Sequence, residues 1–163
     1  MIHMNRTQIL SLVAFAVIAG ICAFLLSGCG YPKDDNPPVY YGYTSVAAAN
    51  EAARLHARDL PGGGGQHYLV QPTGSMRPFI NDYDTIVVSR NFPYDELKPG
   101  QIIIYTADWT PVGAPVVCHR LVSKDSYGWI LTGDNNARTE ASWRVTEKTY
   151  RGKVIAVYTT REK

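Results

Sequence analysis

From Gln66 to the C-terminus, the hydrophobic residues come in short runs rich in Val, Ile, Thr and Tyr, and turn residues separate these runs. Such runs are typical of β-strands, in which β-branched and aromatic side chains pack well. The predicted strands are 67–71, 84–89, 101–106, 115–124, 127–132 and 152–159. The turn sequence Asp-Ser-Tyr-Gly is expected to join the fourth and fifth of them as a hairpin. Residues 66–163 are therefore predicted to form a compact, mainly β domain of several short strands.

A helical pattern precedes this domain. Residues 45–60 are rich in alanine, Ser45 or Thr44 can cap their N-terminal end, and Pro61 with the glycines after it ends the pattern. The weakly apolar face is expected to dock on the β domain and consists of Val46, Ala49, Ala53 and Leu60. We therefore predict one short α-helix in the segment 45–65, followed by a flexible glycine joint at 62–65.

The N-terminal segment 1–29 is dominated by an apolar run without charge, from Ile9 to Leu26. A run of this length is typical of a transmembrane helix, which needs about 20 residues to cross a bilayer, or of a secretory signal. The end of the run, Leu-Ser-Gly-Cys, resembles the lipobox of bacterial lipoproteins, so Cys29 is a candidate lipidation site. Both interpretations anchor the protein at a membrane. Arg6, before the run, favours the extracytoplasmic face of the cell envelope for the body of the protein.

Residues 30–44, between the anchor and the helix, contain several prolines and tyrosines and have no apolar period. Such a composition predicts an extended linker.

Composition narrows the classes of partner. The chain has 16 basic and 14 acidic residues, and no basic cluster stands out, so nucleic acid is not an expected partner. The three cysteines do not form a disulfide framework, and Cys118 is expected to be a small buried residue. The sequence also has no His-x-x-x-His or Cys-x-x-Cys motif, so neither a metal nor a cofactor is expected.

Candidate chemistry comes from four motifs that follow one another in a definite order. They are Pro-Thr-Gly-Ser-Met-Arg-Pro-Phe-Ile at 72–80, Lys-Pro-Gly-Gln-Ile-Ile-Ile-Tyr at 98–105, Cys-His-Arg-Leu-Val at 118–122 and Thr-Gly-Asp-Asn-Asn-Ala at 132–137. A serine in a tight turn, a histidine on a strand and an aspartate at a turn are the residue types of a nucleophile, a base and an orienting acid.

These four motifs together resemble those of type I signal peptidases. The first is similar to the nucleophile motif of that family, and the third to the motif that supplies the general base. Bacterial signal peptidases typically have lysine as the base, as do the self-cleaving repressors of the LexA type. This chain has His119 there, which resembles the endoplasmic-reticulum and archaeal type of signal peptidase.

The resemblance implies a role for each candidate residue. Ser75 would be the nucleophile and His119 the base that activates it. Asp134 would orient His119, and Glu140 is the alternate acid. The backbone N–H of Ser75 and the hydroxyl of Thr73 would stabilise the oxyanion.

The implied function is that of a membrane-tethered serine endopeptidase. Its substrate would be an extended peptide, signal-peptide-like or a dedicated exported precursor, paired with residues 68–72 and carrying small residues near the scissile bond. Accessory proteins are a further class of partner, because the endoplasmic-reticulum relatives work within a complex. Two alternatives stay open. One is a non-catalytic lipoprotein with a signal-peptidase-like peptide-binding domain, and the other is a dedicated processing protease similar to those of conjugation systems or phage.

Overall fold

The structure is a computed structural model that describes residues 34–107, 116–137 and 143–160. Within these residues one sheet contains seven strands, which are β1 (Val39–Tyr43), β2 (Gly65–Leu69), β3 (Thr85–Ser89), β4 (Ile102–Tyr105), β5 (Val117–Asp125), β6 (Gly128–Thr132) and β7 (Tyr150–Thr160). One α-helix, α1 (Val46–Asp59), and two short 3₁₀ turns, Pro61–Gly63 and Tyr94–Glu96, complete the described elements. The prediction of a mainly β fold with one short helix is confirmed.

The strand order in the sheet is β2-β3-β7-β4-β5-β6, with antiparallel neighbours throughout, and β1 pairs with β7 in parallel. All six predicted strands are present, with ends that differ by a few residues. The hairpin between β5 and β6 closes because the carboxylate of Asp125 accepts hydrogen bonds from the backbone N–H groups of Tyr127 and Gly128, at 2.9 and 3.2 Å. The longest strand, β7, pairs with β1, β3 and β4, and β5 and β6 continue the sheet beyond β4.

Alternation along the strands divides the core between the two faces of the sheet. In β4, Ile102 and Ile104 pack in one apolar cluster with Met76 and Ile80. Ile103 belongs to a second cluster, whose other members include Tyr105, Leu121, Leu131, Trp129 and Val145. Because successive strand residues point to opposite faces, each position of β4 and β5 can be assigned to one cluster.

Helix α1 begins as predicted. The hydroxyl of Ser45 accepts a 3.2 Å hydrogen bond from the backbone N–H of Ala48, which satisfies one of the free donors of the first turn. Three alanines of the helix are buried, namely Ala49, Ala53 and Ala57. They form one apolar cluster with Val87, Ala156 and Tyr158 of the sheet. Small side chains let the helix approach the sheet closely.

Part of the predicted linker 30–44 is a strand instead. Residues Val39–Tyr43 form β1 and pair in parallel with the end of β7, from Ala156 to Thr160. The ring of Tyr41 stacks on that of Tyr158 at a centroid distance of 4.8 Å. The pairing partner lies far away in the sequence, so the local pattern of prolines and tyrosines does not indicate this strand.

The glycine run 62–65 is not a free joint, which corrects a second expectation. A Cβ atom at Gly65 would lie 1.9 Å from the carbonyl oxygen of Ala57 in α1. The carbonyl of Gly64 accepts a 2.8 Å hydrogen bond from the backbone N–H of Arg90. The glycines are therefore the place where the helix and the start of β2 come into direct backbone contact.

The apolar run of segment 1–29, with Cys29, lies outside the described residues. Among the helices that the structure describes, none has the length and apolar character needed to cross a bilayer.

Candidate active site

The turn that carries Ser75 lies between β2 and β3 and is held from both sides. Gly74 has a φ of +67°, a left-handed conformation that favours glycine, and this turns the chain immediately before Ser75. The N–H of Gly74 donates to a carboxylate oxygen of Asp82 at 3.1 Å, and Asp82 also pairs with Arg77. Met76, only 3% exposed, anchors the turn in the apolar core. Ser75 therefore stands half-buried at the tip of a fixed turn.

The hydroxyl of Thr73 lies beside that of Ser75. The two oxygens are 3.3 Å apart, and the backbone N–H of Ser75 donates a long, 3.5 Å hydrogen bond to the Thr73 hydroxyl. The two donors expected for an oxyanion site are thus next to each other in the same turn.

The fourth sequence motif supports this turn from across the molecule. The backbone N–H of Asn135 donates to the carbonyl of Ser75 at 2.8 Å, and the side-chain amide of Asn135 donates to the carbonyl of Gly74 at 3.1 Å. Gly133 lies so close that a Cβ atom there would be 2.7 Å from the carbonyl oxygen of Ser75. The first and fourth motifs are therefore brought together by backbone contacts.

His119 is buried in β5, with 6% of its surface exposed. The pairing of β4 with β5 places Ile103 opposite His119 and Tyr105 opposite Val117, so Tyr105 is the diagonal neighbour of His119 on the same face. The Tyr105 hydroxyl oxygen lies 3.2 Å from Nδ1 of His119. The imidazole thus has a hydrogen-bond partner inside the protein.

Ser75, Thr73 and His119 line one cavity of about 550 Å³. Apolar side chains form much of the remaining wall, including Val70, Met76, Ile80, Ile86, Ile104 and Val116. The cavity thus combines a hydroxyl nucleophile, an imidazole and an apolar surface that a peptide side chain can enter.

Asp134 is not the partner of His119, and the expectation for it is corrected. Both carboxylate oxygens of Asp134 accept hydrogen bonds from the guanidinium of Arg120, at 2.6 and 2.7 Å. The carboxylate of Asp134 is therefore bound by Arg120, the residue that follows His119 in β5. The alternate acid, Glu140, lies outside the described residues.

Arg120 connects several of the motifs. Its third hydrogen bond goes to the carbonyl of Gly100 at 2.7 Å, and the ring of Phe79 covers the guanidinium at 5.0 Å. Burial alone would lower the pKa of Arg120, but the hydrogen bonds and charge of Asp134 raise it above its ordinary value. Through these contacts Arg120 links the second, third and fourth motifs with Phe79 of the first.

Cys118 also lines the cavity, but its thiol is unsuited to act as the nucleophile. Burial raises its pKa to about 12, with a further contribution from the charge of Asp134. Since the thiolate is the reactive form, such a thiol is unreactive at neutral pH.

Within the described residues, no cluster of three or more His, Cys, Asp and Glu side chains is arranged to hold a metal ion.

Comparisons of the chain with models of protein families, with curated proteins and with solved structures found no match.

The sequence did not predict roles for Arg120, Asn135 or Tyr105. Two of them lie beside a predicted site residue, and Tyr105 ends the second motif. The predicted strands 101–106 and 115–124 contain Tyr105 and His119, respectively. If these two strands pair, Tyr105 can lie diagonally across from His119, so the strand prediction could have indicated this contact.

Proposed function

We propose that this protein is a membrane-tethered serine endopeptidase that cleaves extended peptide segments of exported precursors. One observation carries the proposal. Ser75, on a turn fixed by backbone hydrogen bonds, shares a cavity with His119 and has the Thr73 hydroxyl 3.3 Å from its own. A nucleophile, a base and an oxyanion donor in one cavity are the parts that acyl transfer needs.

In the proposed reaction, the Ser75 hydroxyl attacks the scissile carbonyl carbon while a ring nitrogen of His119 takes its proton. The negative charge that forms on the carbonyl oxygen is stabilised by the N–H of Ser75 and the hydroxyl of Thr73. Protonated His119 then gives its proton to the leaving amine, and an ester bond joins the acyl part of the substrate to Ser75. Water, deprotonated by His119, cleaves this ester and restores the enzyme.

The edge of the sheet favours an extended substrate. In the described part of the chain, β2 pairs with β3 on one side and with no strand on the other. The residues after β2 continue as cavity wall up to the nucleophile turn. A peptide paired along 68–72 would therefore run towards Ser75 with alternate side chains directed into the apolar cavity.

The proposed chemistry involves neither a metal nor a cofactor. Because Asp134 is paired with Arg120, the carboxylate proposed to assist His119 is Glu140, the alternate acid of the sequence analysis.

Cleavage of a precursor with an Ala-x-Ala site, in detergent micelles, tests the proposal. We expect the full-length protein to cut it and both Ser75→Ala and His119→Ala to abolish cutting. Ser126→Ala, at an exposed position of the β5–β6 hairpin, is the matched serine control and should cut normally. Cutting that survives Ser75→Ala or His119→Ala would overturn the mechanism. If the folded protein binds the peptide without cutting it, the result would support the alternative function, a non-catalytic peptide-binding domain.

A further inference from the structure

A second turn follows the first sequence motif directly. In it, the backbone N–H of Asn81 donates to a carboxylate oxygen of Asp84 at 2.8 Å, and the N–H of Asp84 donates to the carbonyl of Asn81 at 3.2 Å. Tyr83 has a φ of +64°, a left-handed conformation that few non-glycine residues adopt. Its N–H donates to the carbonyl of Val70 at 3.1 Å. The second turn is thereby tied to the chain that enters the nucleophile turn.

Asp82, in this second turn, reaches back to the nucleophile turn. Its side chain is 17% exposed, and the residue lines the same cavity as Ser75. One carboxylate oxygen accepts the N–H of Gly74 at 3.1 Å, and the other pairs with the guanidinium of Arg77. Backbone N–H and guanidinium groups only donate and a carboxylate accepts, so each hydrogen bond has a single possible direction.

Gly74 is the residue whose conformation needs such support. Glycine adopts its φ of +67° without a steric penalty, but the missing Cβ also leaves it more freedom than any other residue. The two peptide groups that flank it are each held, at the N–H by Asp82 and at the C=O by the side-chain amide of Asn135, 3.1 Å away. In a trans peptide the C=O and N–H point in opposite directions, so the conformation of Gly74 also sets the direction of the Ser75 N–H.

We propose that Asp82 is a positioning residue: by accepting the N–H of Gly74, it fixes the conformation of that glycine and so the direction in which the Ser75 N–H points. The catalytic consequence rests on the proposed function, in which the Ser75 N–H stabilises the oxyanion. The hydrogen bond and the conformation of Gly74 do not rest on it and can be measured in a protein of any activity.

The first test is the amide NMR spectrum of the full-length ¹⁵N-labelled protein in micelles. Asp82→Ala removes the acceptor, whereas Asp82→Asn keeps an acceptor oxygen and removes the charge. In Asp82→Ala we expect the Gly74 amide proton to exchange with water roughly tenfold faster, because its hydrogen bond is lost, and the amide signal of Ser75 to shift. In Asp82→Asn the Gly74 exchange rate should stay within about threefold of the wild type.

Asp125→Ala is the matched control. Asp125 also accepts backbone N–H groups, those of Tyr127 and Gly128, and it also pairs with an arginine, Arg144, but it lies in the β5–β6 hairpin. This variant should leave the amide signals and exchange rates of the nucleophile turn unchanged. The comparison separates a local effect of Asp82 from a general effect of losing a carboxylate that caps a turn.

The second test is the cleavage assay. Asp82→Ala should lower kcat roughly 10- to 100-fold with KM nearly unchanged, because a misdirected N–H no longer stabilises the transition state. Asp82→Asn should recover most of this loss, and Asp125→Ala should cut like the wild type. Recovery by asparagine distinguishes the role of the acceptor oxygen from that of the charge.

Three outcomes would overturn the proposal. The first is a wild-type Gly74 amide that exchanges as fast as in an unfolded chain, which decides the matter even if the variants do not fold. The second is an unchanged Gly74 exchange rate in a folded Asp82→Ala protein. The third is faster exchange in Asp82→Asn equal to that in Asp82→Ala, which would assign the effect to the charge pair with Arg77.

The two proposals fail in different ways. A protein whose Gly74 amide responds to Asp82→Ala as expected, but which cleaves no precursor, would support this inference and remove the proposed function alone. Equal cleavage rates for the wild type and a folded Asp82→Ala protein would keep the proposed function and remove the positioning role of Asp82.

Discussion

The backbone N–H of Asn135 donates a 2.8 Å hydrogen bond to the carbonyl oxygen of Ser75, and the two residues belong to the last and the first of the four sequence motifs. The side chain of Asn135 adds a second bond, to Gly74. The position of the Ser75 hydroxyl is therefore set by the turn after β6 as much as by its own turn. Shifts of about 1 Å in a reacting group can cost two orders of magnitude in rate, so this support matters for the proposed chemistry.

Removing the side chain of Asn135 should loosen the nucleophile turn. In Asn135→Ala, the backbone bond to Ser75 remains but the bond to Gly74 is lost. We expect a loss of about 1 kcal/mol or less in the free energy of unfolding, as for one exposed hydrogen bond, and a fall in kcat of roughly tenfold. Denaturant unfolding and the cleavage assay measure the two effects.

Asn91→Ala is the control for this variant. Asn91 also donates from its side chain to a backbone carbonyl, that of Pro61, at 3.3 Å, but between α1 and β3. It should change stability slightly and leave kcat as it is. Equal activity in both variants would show that the side chain of Asn135 does not support the site.

The strands could be predicted because their signal is local. Runs such as Ile102–Tyr105 are rich in β-branched residues, and the sheet buries them on both faces. Strand β1 was missed because only its pairing with β7 stabilises it, and no local pattern reveals a partner more than a hundred residues away.

The part of the candidate site that could be predicted is the part formed within a single motif. Ser75 in its glycine turn and Thr73 two residues earlier lie together because the chain between them is short. Asp134 was assigned to His119 wrongly, because Arg120 follows His119 directly and sequence proximity does not tell which face a carboxylate approaches. The close contact of Gly65 with Ala57 was likewise invisible in a run of glycines.

The Arg120–Asp134 ion pair should be important for stability. Asp134 is 1% and Arg120 11% exposed at the side chain, so replacing the carboxylate by an amide leaves a buried guanidinium without its counter-charge. For Asp134→Asn we expect a loss of about 3–5 kcal/mol in the free energy of unfolding, the usual effect of removing one member of a buried pair. Thermal or denaturant unfolding measures it.

A suitable comparison is Glu51→Gln, which breaks the exposed pair between Glu51 and Arg54 in α1. Its Tm should be that of the wild type, since exposed ion pairs contribute little. If Asp134→Asn unfolds like the wild type but changes the tautomer of His119, the carboxylate would act on the histidine after all.

Two glycines in strands should respond in opposite ways to alanine. A Cβ at Gly65 would meet the carbonyl oxygen of Ala57 at 1.9 Å, whereas at Gly42 nothing lies within 4 Å. We expect Gly65→Ala to lose about 3 kcal/mol or more, because α1 and β2 must move apart. Gly42→Ala should be neutral or gain about 0.5–1 kcal/mol, since alanine restricts the unfolded chain. Similar stabilities for the two variants would mean that the contact between α1 and β2 yields easily.

The Cys118 thiol gives a pH dependence with a definite sign. Its pKa is raised by burial to about 12 in the folded protein, against about 8.5 in an unfolded chain. Above about pH 8.5 the unfolded chain loses this proton while the folded protein keeps it, so the thiol's contribution to stability is complete below that pH and decreases as the pH rises towards 12. The wild type should therefore lose stability relative to Cys118→Ala across this window, by at most about 1.4 kcal/mol per pH unit. Urea unfolding of both proteins at several pH values measures the difference, in which the contributions of the other titrating groups cancel. The raised pKa of the thiol predicts that iodoacetamide at about pH 8 alkylates Cys118 more slowly in the folded protein than in the unfolded chain, as peptide mapping would show. If the native thiol were alkylated rapidly and Cys118→Ala also stopped cleavage of the precursor, the nucleophile would be Cys118 and the assignment to Ser75 would be wrong.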